Sequence, residues 1–188
     1  MKLKDATRVI TGPRTRWSYL NAWEAKSING GTPKFSVSLI IPKSDKKTVD
    51  AINRAIEAAY KEGESKLKGN GKSVPPLTAI KTPLRDGDLE RPDDPAYADS
   101  YFLNANSSTA PGIVDADCNP ILNRSEVYSG VYGRASINMY PYNTNGSRGI
   151  AAGLNNLQKI NDGEPLGGKT RAEDDFADCT DDDDDYLS

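Results

Sequence analysis

The sequence predicts a mainly β fold: a small barrel with one helix after the third strand, followed by a disordered acidic C-terminal tail. Three observations carry this. Apolar and aromatic residues recur at period two in several short runs parted by Gly, Pro and Asn; one run alone has a helical period; and the last 18 residues are dominated by aspartate. A barrel of the OB type has this order of short strands with a single interposed helix, although a β-sandwich with one helix gives a similar pattern.

Residues 14–23 (RTRWSYLNAW) alternate large and small side chains and are rich in aromatics, which predicts a strand, and Asn29-Gly30-Gly31 supplies the turn after it. Residues 34–41 place Phe35, Val37, Leu39 and Ile41 on one face, and Pro42 ends the run. The period then changes. Val49, Ile52, Ile56, Ala59 and Tyr60 share a helical face, with Ser44 or Asp45 placed to cap and Gly63 near the end, so a helix is expected over about residues 46–62. Gly69-Asn70-Gly71 through Pro75-Pro76 reads as a basic loop beside Lys61, Lys66, Lys68 and Lys72. A short strand is expected at 77–81, a polar surface loop at 85–95, a strand at 101–106 and a turn at 115–122. Two more strands are expected near 128–142 and 148–159.

A chain of 188 residues suits one domain, residues 1–170, with residues 171–188 as the tail. The mean hydropathy is −0.65. No window approaches the roughly 18 apolar residues of a membrane span, and Met1-Lys2-Leu3-Lys4-Asp5 leads into no apolar stretch, so a soluble, cytoplasmic protein without a membrane partner is expected. Histidine is absent, which removes Ser-His-Asp and Cys-His catalysis, His-ligated metals and imidazole bases. Cys118 and Cys179 lie far apart with no CxxC spacing, so neither a zinc site nor a disulfide framework is expected. No cofactor is implied.

The net charge of −3 hides a strong asymmetry. Residues 171–188 hold nine acidic residues and one basic, while residues 1–85 hold seventeen basic and seven acidic. This pattern suits a body that binds a polyanion and carries an acidic arm.

The most informative segment is residues 128–142, because a strand sends alternate side chains to opposite faces. One face carries Tyr128, Tyr132, Arg134, Asn138, Tyr140 and Tyr142; the other carries Val131, Gly133, Ala135, Ile137 and Met139. The second is a core face. The first has the chemistry that holds single strands: rings on which bases stack, with arginine for phosphate or cation–π contact. Tyrosines also decorate ordinary half-exposed sheets, but Arg14, Arg16, Trp17, Tyr19 and Trp23 repeat the same mixture in a basic first half. The two tryptophans are read as core residues.

Two enzyme-like signals remain. Residues 163–170 (GEPLGGKT) spell a phosphate-binding loop, but such a loop must lead into a helix within a parallel sheet, and only an acidic segment follows, so the string is read as a chance match. Asp86, Asp88, Asp93 and Asp94 form a carboxylate cluster of the kind that holds Mg²⁺ for phosphodiester cleavage, which makes a Mg²⁺-dependent nuclease the alternative function. Turn-forming aspartates beside Gly87, Pro92 and Pro95 explain the same cluster more simply.

Five strings are familiar together: residues 35–45 (FSVSLIIPKSD), 81–88 (KTPLRDGD), 125–130 (SEVYSG), 149–156 (GIAAGLNN) and 172–176 (AEDDF). On these the chain resembles a family of tailed-phage single-stranded DNA-binding proteins of the Enterobacter-phage type, over nearly its whole length. The resemblance implies an OB fold that coats single-stranded DNA in phage replication or recombination, with an acidic tail that docks replication or recombination proteins. It implies no residue-level site. Alternation and charge alone therefore give the expected contacts: Arg14, Arg16, Lys81, Arg85 and Arg134 for phosphates, and Tyr101, Tyr128, Tyr132 and Tyr140 for bases. Asp181, Asp182, Asp183, Asp184, Asp185, Tyr186 and Leu187 form the expected docking or self-competing peptide, with solubility as its plainer role. No catalytic or metal-binding residue is expected of a coating protein.

Overall fold

A computed structural model describes residues 5–27 and 30–166. Eight strands occur among them: β1 (Arg8–Ile10), β2 (Arg16–Lys26), β3 (Lys34–Pro42), β4 (Arg85–Asp86), β5 (Ser100–Ser107), β6 (Gly112–Val114), β7 (Tyr132–Thr144) and β8 (Ser147–Asn161). The pairings β7–β2, β2–β3, β3–β5, β5–β8 and β8–β7 return to their starting strand and close a five-stranded barrel. All are antiparallel except β5–β8, where Ala105 lies opposite Ala152. Closure removes the open edges that a five-stranded sheet would otherwise present to solvent. The three shortest strands are additions outside the ring: β1 on β7, β4 on β5 and β6 on β8.

The long helix, α1 (Lys46–Glu62), follows the third strand of the chain. Because β1 lies outside the ring, that is between the second and third of the closing strands. Asp45 caps its start by accepting from the Thr48 backbone N–H at 3.3 Å, and the Gly63 N–H closes its end on the Ala59 carbonyl. Thr48, Ile52, Ala55, Ile56 and Ala59 are buried at helical spacing, and the four apolar ones join Trp17, Leu39, Ile41, Leu103 and Ile137 in a single core. Gly63 has to be small, since a Cβ there would lie 2.3 Å from Cγ of Pro141 on β7. A one-turn helix, α2 (Glu64–Lys68), continues against β7 and buries Leu67. The β7–β8 hairpin turns on Asn145 and Gly146, both at positive φ, which is the geometry of a two-residue turn matched to strand twist.

The predicted helix and the strands at 14–23, 34–41, 101–106, 128–142 and 148–159 are all present, with ends shifted by a few residues. Two expectations need correction. Residues 77–81 form no strand: Leu77–Ala79 is a 3-10 turn, and only Lys81 makes a bridge, to Gly149. Residues 85–95 are more than a loop, because β4 pairs with Phe102 and Tyr101 and leads into α3 (Gly87–Glu90). β1 and β6 have no counterpart among the expected strands. The tail at 171–188, Cys179 and the last four residues of the phosphate-loop string lie outside the described residues.

Candidate nucleic-acid interface

Period-two alternation on β3 and β5 makes two different surfaces. Val37, Leu39 and Ile41 point inward with Leu103 and Ala105. Ser36, Ser38 and Ile40 point outward, opposite Asn106, Asn104 and Phe102 respectively. The outer face is apolar at one end and polar at the other. Ile40 and Phe102 form a second small cluster, covered by Tyr97, which stands edge-on to Phe102 at 5.1 Å and shares a hydrogen bond of 3.0 Å with Ser38. The polar end, bearing Ser36, Asn104 and Asn106, stays open as a groove of about 680 Å³.

Tyr19 and Arg91 form the far wall. The β2–β3 register slips between Ser18 and Asn21, and within that bulge Tyr19 takes φ +46°. A bulky residue in the left-handed region is rare, and a bulge is a device for re-aiming a side chain. Trp17, two positions earlier, is buried completely; Tyr19, on the same face by alternation, is 59% exposed. The Arg91 guanidinium sits 5.4 Å from the Tyr19 ring centre, 5.3 Å from Tyr97 and 5.5 Å from Phe102. Lys26 and Lys34 close the groove at the β2–β3 turn, and no described acidic residue lines it. Rings, amides and hydroxyls within reach of cations offer stacking, base-edge hydrogen bonds and phosphate contact together. A second groove of about 650 Å³ shares Tyr19, Asn21 and Lys26 and runs on to Tyr128 and Leu166.

Of the nine expected contact residues, Tyr128 borders this surface, and Arg16 and Tyr132 lie just behind it. These three hold the strap formed by residues 162–166. Arg16 donates from Nε to the Gly130 carbonyl at 3.1 Å and from Nη2 to the Glu164 carbonyl at 2.7 Å, with its guanidinium 5.1 Å from the Tyr132 ring centre. The Tyr128 hydroxyl donates to the Gly163 carbonyl at 2.9 Å, and the Leu166 N–H donates to the Ser129 carbonyl at 2.8 Å. Lys159 pairs with Asp162 at 2.6 Å, and this contact, aided by the Tyr128 hydroxyl, holds the Asp162 carboxyl below its ordinary range. The Leu166 side chain packs on the Ile40–Tyr97–Phe102 cluster.

The other six are dispersed. Arg134 and Tyr140 are exposed on the outer face of β7, as alternation requires, and Arg14 is exposed in the turn before β2. Tyr101 lies under the Lys43 ammonium at 5.2 Å. Lys81 and the β4 residue Arg85 are exposed between β5 and the β7–β8 hairpin. Sequence reasoning did not assign Tyr19, Arg91, Asn104 or Asn106 to the surface that the groove forms; the bulge that exposes Tyr19 leaves no mark in the alternation.

The aspartate loop does not converge on a cation. Lys43 sits 2.9 Å from Asp86 and 2.8 Å from Asp88, so an ammonium already occupies the place between these carboxylates. The Lys43 contact, with the Asp99 backbone N–H, lowers the Asp88 pKa. Asp94 is spent capping the turn at Ala96, and Asp93 is exposed. Among the described residues no group of three or more His, Cys, Asp or Glu side chains is placed to hold a metal. The described part of the phosphate-loop string, Gly163 to Leu166, is the extended strap and leads into no described helix. No described helix is long and apolar enough to cross a membrane.

The barrel matches known phage proteins. The structure of the single-stranded DNA-binding protein from bacteriophage Enc34 in complex with ssDNA superposes with a TM-score of 0.73 at 22% identity, covering 89% of this chain and 96% of that one. The single-stranded DNA-binding protein gp2.5 of bacteriophage T7 gives a TM-score of 0.56 at 17% identity, covering 91% and 93%. In sequence, putative protein p50 of Acyrthosiphon pisum secondary endosymbiont phage 1 is 27% identical over 174 residues, 88% of this chain and 90% of its own length. The family model of the Enterobacter phage Enc34 ssDNA-binding protein matches residues 7–187, from β1 through the barrel and strap into the acidic terminus, and the chain belongs to that family.

Proposed function

We propose that the chain binds single-stranded DNA without sequence preference and coats it during phage DNA replication or recombination in the host cytoplasm. The observation that carries this is the groove across β2, β3 and β5, lined by no described acidic residue, with Tyr19 bulged into it and Arg91, Lys26 and Lys34 at its rim. The outer faces of the corresponding strands are where OB barrels take oligonucleotides. Tyr128 extends the stacking surface, while Arg16 and Tyr132 support it from behind through the strap. Arg14, Arg134, Tyr101 and Tyr140 serve as outlying contacts. The acidic terminus, residues 181–187, competes with DNA for the basic groove and docks replication or recombination proteins when DNA displaces it.

Fluorescence-anisotropy titration of single-stranded and duplex oligonucleotides at two salt concentrations tests this, with full-length protein beside a form lacking residues 173–188. The expected result is salt-sensitive preference for the single strand, tightened by tail removal. Absence of binding in both forms refutes the reading, and equal affinity of the two forms refutes tail competition.

A further inference from the structure

The basic stretch around α2 takes no part in the groove, yet the fold gathers it into one place. The Asn143 side chain on β7 donates to the Lys66 carbonyl at 3.0 Å, and the Gly71 N–H donates to the Lys68 carbonyl at 2.8 Å. A Cβ on Gly71 would come within 3.9 Å of Nη1 of Arg148 on β8, and the Lys81 N–H donates to the Arg148 carbonyl at 3.3 Å. Lys66, Lys68, Lys72 and Lys81 are thus exposed around the tip of the β7–β8 hairpin, with Arg148 among them. None of the five makes an ion pair among the described residues. Residues 65–85 and 127–161, which build this surface, contain no Asp or Glu; of the acids that flank them directly, Glu64, Asp86, Glu126 and Asp162, Asp86 is paired with Lys43 and Asp162 with Lys159. The Arg148 Nε is buried and has no hydrogen-bond partner among the described residues.

We propose that this surface is a second contact for single-stranded DNA, a phosphate-tracking patch that takes the strand after it leaves the groove. The inference rests on the groove being the primary site. Gly153 on β8 lies opposite Asn106 at the groove, and Arg148 is five residues away along β8, about 17 Å at roughly 3.3 Å per residue. Five residues along a strand turn the side chain to the opposite face, so a continuous DNA strand covers that span by rounding the hairpin edge past Arg85 and Lys81. The patch is rich in flexible ammonium groups and poor in exposed rings, so it grips backbone rather than bases and acts only on strands long enough to reach it.

The test uses the full chain and its Lys66→Gln/Lys68→Gln/Lys72→Gln variant with oligothymidylates of about 8 and about 30 nucleotides, the shorter within the range one barrel accommodates. Wild type is expected to bind both, the longer more tightly. The variant is expected to keep its affinity for the short strand and lose roughly tenfold or more for the long one at low salt. Its log-affinity against log-salt slope for the long strand should fall by about 2, at roughly 0.7 for each phosphate no longer neutralised. Arg148→Gln should act in the same direction, on the long strand alone. Unchanged long-strand affinity and slope would overturn the proposal; so would tighter binding of either strand, which would make the patch the seat of the acidic tail. If wild type binds neither strand, the primary site itself fails and the patch with it.

Discussion

Tyr19→Gly separates binding from folding at the centre of the groove. The ring is 59% exposed, so little native packing disappears when it is removed. At φ +46° the tyrosine carries a left-handed backbone cost of about 1–2 kcal/mol that glycine does not. Glycine gives back roughly 0.5–1 kcal/mol through the greater freedom of its unfolded chain. These terms offset within about 1 kcal/mol, and urea melts of the variant should overlay wild type to that extent. Binding has no such offset. A base that stacks on this ring contributes about 1–3 kcal/mol, so affinity for oligothymidylate should fall roughly 5- to 150-fold in anisotropy titrations. Tyr19→Ala should bind as poorly and melt close to wild type, since alanine carries the same backbone cost as tyrosine. Tyr140→Ala, on the outer face of β7, should matter less. If Tyr19→Gly binds like wild type while Tyr132→Ala or Tyr140→Ala is impaired, the stacking surface lies on β7 and the groove assignment is wrong.

Arg91→Ala should reduce both affinity and the salt slope, the latter by about 0.7 for one phosphate, as read from titrations at several salt concentrations. Gly133→Ala should destabilise by about 1–3 kcal/mol, because a Cβ there would lie 2.2 Å from the Gln158 carbonyl and 2.5 Å from the Trp17 ring. Its thermal midpoint should drop by roughly 3–10 °C, and an unchanged midpoint would contradict the packing described for Trp17. Lowered native carboxyl pKa values at Asp88 and Asp162 stabilise the fold fully above the ordinary carboxylate range, and that stabilisation is lost as the pH falls through the native values. Lys43→Met should therefore flatten the acid-side decline of stability in urea melts, and a decline as steep as wild type would show Asp88 to be irrelevant. A labelled oligonucleotide incubated with protein and Mg²⁺ should remain full-length; shortened product would return the Asp86–Asp94 loop to consideration as a nuclease.

The barrel was legible where a strand has one buried face over many residues, as with Phe35 to Ile41, or where caps and period agree, as in α1. β1, β4 and β6 were not, because two or three residues hold no period and pair only where β5, β7 and β8 run on past their partners in the ring. The interface was harder. Alternation placed Tyr132, Arg134 and Tyr140 outward correctly, but outward is not the same as together. Tyr19 shares sequence parity with Trp17, and only the bulge parts them, one to the core and one to the groove. Arg91 belongs to a charged loop that reads as surface; it is aimed by the packing of Tyr97 on Phe102, a contact between residues that no local pattern links. The Asn145-Gly146 turn fixes the β7–β8 register, and an Asn-Gly pair between two strands is a hairpin signal that the alternation argument left unused.

The strap sets the geometry of everything that follows it. Leu166 is pinned by Ser129 and by the Ile40–Tyr97–Phe102 cluster at the edge of the second groove, so the acidic segment that follows begins at a fixed point on the rim of the proposed DNA surface. Residues 167–185 span at most about 65 Å even fully extended, so the aspartate run at 181–185 cannot leave the reach of the groove. If the acidic terminus competes for the groove as proposed, its attachment sets an effective concentration on the order of millimolar, whatever the concentration of the protein. Dilution would then weaken a competitor supplied in solution but leave the attached one as potent as before. The threshold at which DNA displaces the acidic terminus would be a property of each molecule, the same for a lone copy as for a crowded filament.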